Sequence, residues 1–163
     1  MNYSIIVSSK TGNAGILADR IHEIFNENVV YYGKPDNNIP DADIMFIGFW
    51  TNMGTCDNDT AAFLKTLHNK KIFLFGTAGF GESEEYFLKI LGRTKEFIDA
   101  SNTIVGEYMC QGKMPLRVRE KYEAMKASKP DMPNIDLLIN NFDKALSHPD
   151  ESDLKRLISK LAN

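Results

Sequence analysis

Short apolar runs that alternate with stretches of helical periodicity restrict this chain more than any other feature. Residues 3–8, 29–32, 44–49, 71–76 and 104–110 are apolar and rich in β-branched and aromatic side chains, as strands buried on both faces are. After the first run, Ile16, Leu17, Arg20, Ile21, Ile24 and Phe25 recur at helical spacing, which predicts an amphipathic helix. Residues 61–68 and 83–91 read as helices too. Asp57 or Asp59 caps the first of these, and Glu82, Glu84 and Glu85 stand around the start of the second, where acidic groups suit the helix dipole. Such alternation means parallel strands joined by right-handed crossovers. Five strands fit a doubly wound five-stranded parallel sheet of order 2-1-3-4-5.

The sheet core spans about residues 1–112, and residues 113–163 add helices. One covers 115–125. Apolar stripes at Ile135, Leu138, Ile139, Phe142 and Leu146, and at Leu154, Leu157, Ile158 and Leu161, mark two more. Ser147-His148-Pro149-Asp150 makes the turn between them. Residues 129–133 form a connector with too little chain after it to fold alone, so 1–163 reads as a single domain.

Net charge is −3, which attracts neither nucleic acid nor an anionic membrane. The acidic excess lies in residues 1–100, with 9 Lys/Arg against 13 Asp/Glu. Cys56 and Cys110 have no CxxC spacing, so neither a zinc site nor a disulfide framework is expected. There is no leader-like N-terminus and no run of membrane-spanning length. A cytoplasmic protein, monomeric or weakly dimeric, is expected.

Topology brings the loops after the first, third and fourth strands to one crevice. The first reads Ser8-Ser9-Lys10-Thr11-Gly12-Asn13-Ala14-Gly15. It is either a capped helix start, with Thr11 or Asn13 as cap, or a cradle whose amides and hydroxyls hold an anion at a helix N-terminus. It is neither a Walker loop nor a G-x-G-x-x-G turn. The second loop, 50–57, carries the only tryptophan, Trp50, which either covers a ligand or folds back on the core. The third, Thr77-Ala78-Gly79-Phe80-Gly81, places an aromatic between two glycines, either an incidental turn or a place where backbone approaches a flat ligand. An anion cradle beside a flat aromatic slot suits a planar ring system with one terminal phosphate, such as FMN.

These junctions resemble the flavodoxin family. Its phosphate-loop pattern [ST]-x-T-G-N-T stands here as Ser9-Lys10-Thr11-Gly12-Asn13-Ala14, with Ala14 in place of the last threonine. The resemblance implies FMN as cofactor, its phosphate held by Ser9 to Ala14. It places Trp50, Thr51, Asn52, Met53 and Gly54 against the flavin and near its N5, with Gly54 suited to a peptide flip. It places Thr77, Ala78, Gly79, Phe80 and Gly81 at the pyrimidine edge and the other ring face, with Phe80 or Tyr86 as the stacking ring. Carboxylates at Asp57, Asp59, Glu82, Glu84 or Glu85 would oppose a second negative charge on the ring.

Net −3 is mild for this family, and Lys10 puts a cation beside a phosphate usually held by neutral donors. Gln111-Gly112-Lys113 ends at the same sheet edge and can meet the flavin rim or a partner. Arg117, Arg119 and Lys121 read as a solvated helix face. Stretches 109–123 and 147–154 resemble a subgroup of flavodoxin-like proteins in anaerobic bacteria, some of which accompany reductases of linear tetrapyrroles such as bilirubin.

The function expected from this resemblance is transfer of low-potential electrons between redox partner proteins, a donor reductase and an acceptor enzyme, with no catalytic residue of the chain's own. The alternative is an FMN-dependent oxidoreductase that uses NAD(P)H and acts on a quinone or tetrapyrrole. A module of this fold without its cofactor is a third reading.

Overall fold

A computed structural model describes residues 1–81 and 83–161. In chain order the elements are β1 (Tyr3–Val7), α1 (Asn13–Phe25), a single 3-10 turn, β2 (Val29–Gly33), β3 (Ile44–Asn52), β4 (Thr55–Cys56), α2 (Asn58–Leu64), β5 (Lys71–Ala78), α3 (Glu84–Lys95), β6 (Thr103–Gln111), α4 (Leu116–Ser128), α5 (Ile135–Ala145) and α6 (Glu151–Leu161). The sheet path is β2-β1-β3-β5-β6, parallel throughout, with β4 attached to β3 alone. Leaving out β4, this is the 2-1-3-4-5 order expected.

The additional strand has a local cause. Residues 50–57 were expected as a loop, but β3 runs on to Asn52 and pairs antiparallel with β4, Thr51 opposite Cys56 and Asn52 opposite Thr55. Met53 (φ 53°) and Gly54 (φ 85°) form the connection. Positive φ at both central residues is the geometry of a tight hairpin turn whose twist matches its strands.

Side-chain alternation along β1 divides the core into two layers. Ile5 faces Leu17, Ala18 and Ile21 of α1 and Leu154 and Leu157 of α6, together with Phe46, Phe73 and Phe75. Ile6 faces the opposite layer, with Ile47, Phe49, Leu64 of α2, Leu74, and Ile90 and Leu91 of α3. In the central pair, Gly48 stands opposite Phe75 and Gly76 opposite Phe49. A Cβ at either glycine would collide with a phenyl ring, so each glycine makes room for the neighbouring strand's aromatic.

The C-terminal third divides in position. α6 packs behind the sheet on the α1 layer. Its start is a reciprocal cap, in which the Asp153 amide donates to Asp150 Oδ1 (2.9 Å) and the Asp150 amide to Asp153 Oδ2 (2.8 Å). α4 and α5 pair with each other at the carboxyl ends of the strands, joined by Arg119 to Asp143 and Lys126 to Asp136.

Candidate functional site

The crevice lies where the strand order reverses, at the ends of β1 and β3. Asp57 organises it. Its carboxylate is 2% exposed and accepts from Ser8 Oγ after β1 (2.7 Å), from the Trp50 amide in β3 (3.3 Å), and from the amide and hydroxyl of Thr60 in α2 (3.2 and 2.8 Å). One side chain thus caps α2 and holds the ends of two strands together. The Thr51 hydroxyl donates to the Thr77 carbonyl (2.8 Å) and joins β3 to β5 at the same level.

α1 begins without a side-chain cap. Gly12 takes the N-cap position in the left-handed region (φ 89°), so neither Thr11 nor Asn13 is the cap. The Gly15 amide donates to Ser9 Oγ (3.3 Å). The amides of Thr11, Gly12, Asn13 and Ala14 have no acceptor among the described residues. Asn13 is buried, and its Nδ2 donates to Thr11 Oγ1 (2.9 Å) and to the Lys113 carbonyl (2.8 Å). Its Oδ1 is buried with no hydrogen-bond partner among the described residues. An uncapped helix start with open amides is a ready anion site.

Beside it lies a cavity of about 220 Å³. Lys10, Thr11 and Asn13 close one end, Trp50 and Thr51 a side, and Thr77, Ala78 and Gly79 the floor. Residues 112–115 and the first turn of α4 form a roof, with Arg117 and Val118 among its lining side chains. The roof is anchored from several sides. Asn13 holds the Lys113 carbonyl, and the Lys113 amide donates to the His148 carbonyl (3.0 Å). Gln111 Nε2 (2.9 Å) and Asn141 Nδ2 (3.0 Å) both donate to the Gly79 carbonyl. Met114 packs so closely on Gly79 that a Cβ there would meet its sulfur at 2.6 Å. Trp50 is half-buried, with Lys10 Nζ 4.9 Å above its ring centroid. On the far side of the Trp50 and Lys10 pair is a second cavity of about 640 Å³, bordered by residues 34–37 and α2.

A family model described as a flavodoxin domain matches residues 4–162 of this chain. The chain belongs to the flavodoxin family. It is similar to the flavodoxin-like domain-containing protein BilS of Clostridioides difficile (strain CD3), 35% identical over 94% of this chain and 90% of that protein. It is similarly related to BilS of Clostridium symbiosum (strain WAL-14163), 33% identical with the same coverage. Among solved structures it shares the fold of a Streptococcus pneumoniae TIGR4 flavodoxin, with TM-score 0.53 and 14% identity over 88% of this chain and 99% of that one. It also shares the fold of a flavoprotein in complex with FMN from Lactobacillus acidophilus NCFM, with TM-score 0.53 and 12% identity over 67% and 93%.

Family membership supports FMN as the cofactor, and the residues present suit its parts. The open amides of α1 and the unpartnered Asn13 Oδ1 suit a phosphate and the hydroxyls beside it. The space between Trp50 and Thr77–Gly79 suits a flat ring.

Of the residues singled out in the sequence, the structure gathers Lys10, Thr11, Asn13, Trp50, Thr51, Thr77, Ala78 and Gly79 around one cavity. Gly12 and Ala14 belong to the same loop, and Ser9 lines the second cavity. Others are placed elsewhere. Asn52, Met53 and Gly54 form the hairpin, whose tip leans toward α3. Arg93 Nη1 donates to the Gly54 carbonyl (3.1 Å), and Met53 is 97% exposed. Phe80, which directly follows the floor residue Gly79, is exposed rather than lining the cavity, and Gly81 borders a third cavity beside β6. Tyr86 packs on the core beside Phe87. Asp57 is spent on the clamp, Asp59 faces the second cavity and Glu84 the third. Glu85 pairs with Lys89, and Glu82 lies outside the described residues.

The roof is what sequence reasoning passed over. Arg117 reads as a solvated helix position, yet it lines the cavity. Asn141, which holds the Gly79 carbonyl, carries no signal in the sequence. Gln111-Gly112-Lys113 was the usable signal. Both cysteines are buried packing groups, and burial pushes each thiol above its ordinary value.

Proposed function

We propose that this flavodoxin-family chain is an FMN-bearing electron carrier that serves a partner reductase. When bound, FMN supplies one- and two-electron redox chemistry. The protein's part is to bind, orient and shield it. The amides of Thr11 to Ala14 and the hydroxyls of Ser9 and Thr11 hold the phosphate. Trp50 and the backbone of Thr77–Gly79 flank the ring. Met114, Pro115 and Val118 exclude water from above.

The observation that carries this reading is the size of the roofed cavity. At about 220 Å³ it falls below the roughly 300–1,000 Å³ of pockets that bury a drug-sized ligand. It suits a partly exposed ring and leaves no room for a second substrate stacked on it. Likeness to the BilS proteins, together with the resemblance of residues 109–123 and 147–154 to companions of tetrapyrrole reductases, favours a reductase of the bilirubin type as acceptor.

A second reading, an FMN-dependent reductase using NAD(P)H, is favoured by the cavity beyond Trp50, which has room for another small molecule. Stepwise anaerobic reduction followed by visible spectroscopy, with steady-state assays beside it, separates the two. A carrier takes up its electrons in two resolved one-electron steps and shows no turnover with NADPH and a soluble acceptor. Reduction in a single two-electron step with NADPH turnover supports the reductase.

A further inference from the structure

The charge around the roofed cavity is one-sided. Lys10, Lys113 and Arg117 line it, and no carboxylate does so among the described residues. None of the three has an ion-pair partner among the described residues. The neighbouring Arg119 is different, being held by Asp143 and Glu123. The carboxylates expected to surround the flavin are spent elsewhere, Asp57 in the clamp and Asp59 and Glu84 on other cavities. This one-sided charge sits on a chain of net charge −3, so the cavity mouth is a local cationic patch on an otherwise mildly acidic molecule. Lys10 belongs to the loop that receives the phosphate, and its charge would be taken up there. Lys113 and Arg117 stand on the roof and remain.

Around them the surface has the anatomy of a docking patch. Leu116, between the roof and Arg117, is 65% exposed, and Phe80, next to the floor residue Gly79, is 39% exposed. Exposed apolar side chains beside unpaired cations form an apolar centre with a charged rim.

Resting on the FMN reading above, we propose that the mouth of this cavity, centred on Lys113, Arg117, Leu116 and Phe80, is the docking surface for a redox protein that presents an acidic face. Charge complementarity is the reason. Two unpaired cations at the point of electron exit steer a negatively charged partner toward the mouth and turn a positively charged one away.

The field at the mouth is read with small oxidants of opposite charge. The FMN-loaded protein, photoreduced without oxygen, is mixed by stopped flow with hexacyanoferrate(III) or with a cobalt(III) hexaammine complex, each accepting one electron per ion. The second-order rate for the anionic oxidant is expected to fall about tenfold between roughly 10 mM and 500 mM salt, while the cationic oxidant shows a rising rate. Lys113→Glu combined with Arg117→Glu is expected to reverse both slopes. The backbone groups by which Lys113 is anchored survive these changes, and circular dichroism with bound-FMN absorbance verifies the fold. Opposite slopes in the unaltered protein, or slopes that the double variant leaves unchanged, overturn the proposal. A protein that takes up no FMN overturns the FMN reading and this inference together, and its spectrum shows that before any oxidant is added.

Discussion

Two helices of the C-terminal third, α4 and α6, are of similar length and opposite use. α6 buries Asp153, Leu154 and Leu157 against α1 and the sheet. Tyr108 of β6 donates its hydroxyl to the Asp153 carbonyl (2.7 Å), and His148 Nδ1 and Arg156 Nη2 each stand 2.6 Å from the Asp153 carboxylate. α4 buries no side chain. It is held by ion pairs to α5 and by the anchored residues before it. One helix completes the core, while the other supplies part of a lid over the crevice. The floor is therefore as stable as the whole domain, and the roof belongs to the part with few buried apolar contacts, which opens most easily.

The largest expected effect comes from breaking the floor. Phe75→Ala empties a fully buried site between β3 and α1 and is expected to cost about 3–5 kcal/mol in urea unfolding. Val118→Ala in the roof is expected to change stability by no more than about 0.5 kcal/mol. Equal costs would erase the distinction.

A middle effect comes from cutting the tie between the two regions. Asn13→Ala removes the donor to the Lys113 carbonyl and a buried oxygen that has no partner among the described residues. FMN affinity, followed by flavin fluorescence quenching, is expected to weaken about tenfold, or ~1.4 kcal/mol. Unchanged affinity would mean that the roof plays no part in holding the cofactor.

The smallest effect lies within the roof's support. The hydrogen bond from the Arg119 guanidinium holds the Asp143 carboxyl below the usual carboxylate range. A carboxyl depressed in the folded state stabilises above its unfolded value and loses that contribution as pH falls through the depressed one. Asp143 is exposed and Arg119 half-buried, a pair near the surface, so Arg119→Ala is expected to leave the global unfolding midpoint unchanged. Amide exchange in α4 is expected to quicken at neutral pH relative to the parent protein, and the difference to vanish in acid. A shift in global stability would place α4 in the core after all.

How much of this was legible in the sequence follows from which physics each element uses. β1, β3, β5 and α1 announce themselves because burial imposes periodicity, and the sheet order follows from chain length and alternation. The start of α1 was legible because Gly12 and its neighbours do one local job. The β3–β4 hairpin was hidden. Met53 at positive φ is an unusual first turn residue, so Met-Gly carries no obvious turn signal. Asp57 looked like a simple helix cap because its bonds to Ser8 and Trp50 cross 49 and 7 residues of chain. The roof was the least legible. Its residues face a cavity rather than the core, so they obey no apolar period, and Lys113 is held through its backbone, which any side chain would allow.

The most direct test of the cradle is to compare FMN with riboflavin, which differ by the phosphate alone, in equilibrium titrations of the apoprotein. With the phosphate on the open amides of α1, FMN is expected to bind about a hundredfold more tightly, or ~2.7 kcal/mol. Equal affinities would contradict it, and would mean that residues 8–15 only begin a helix.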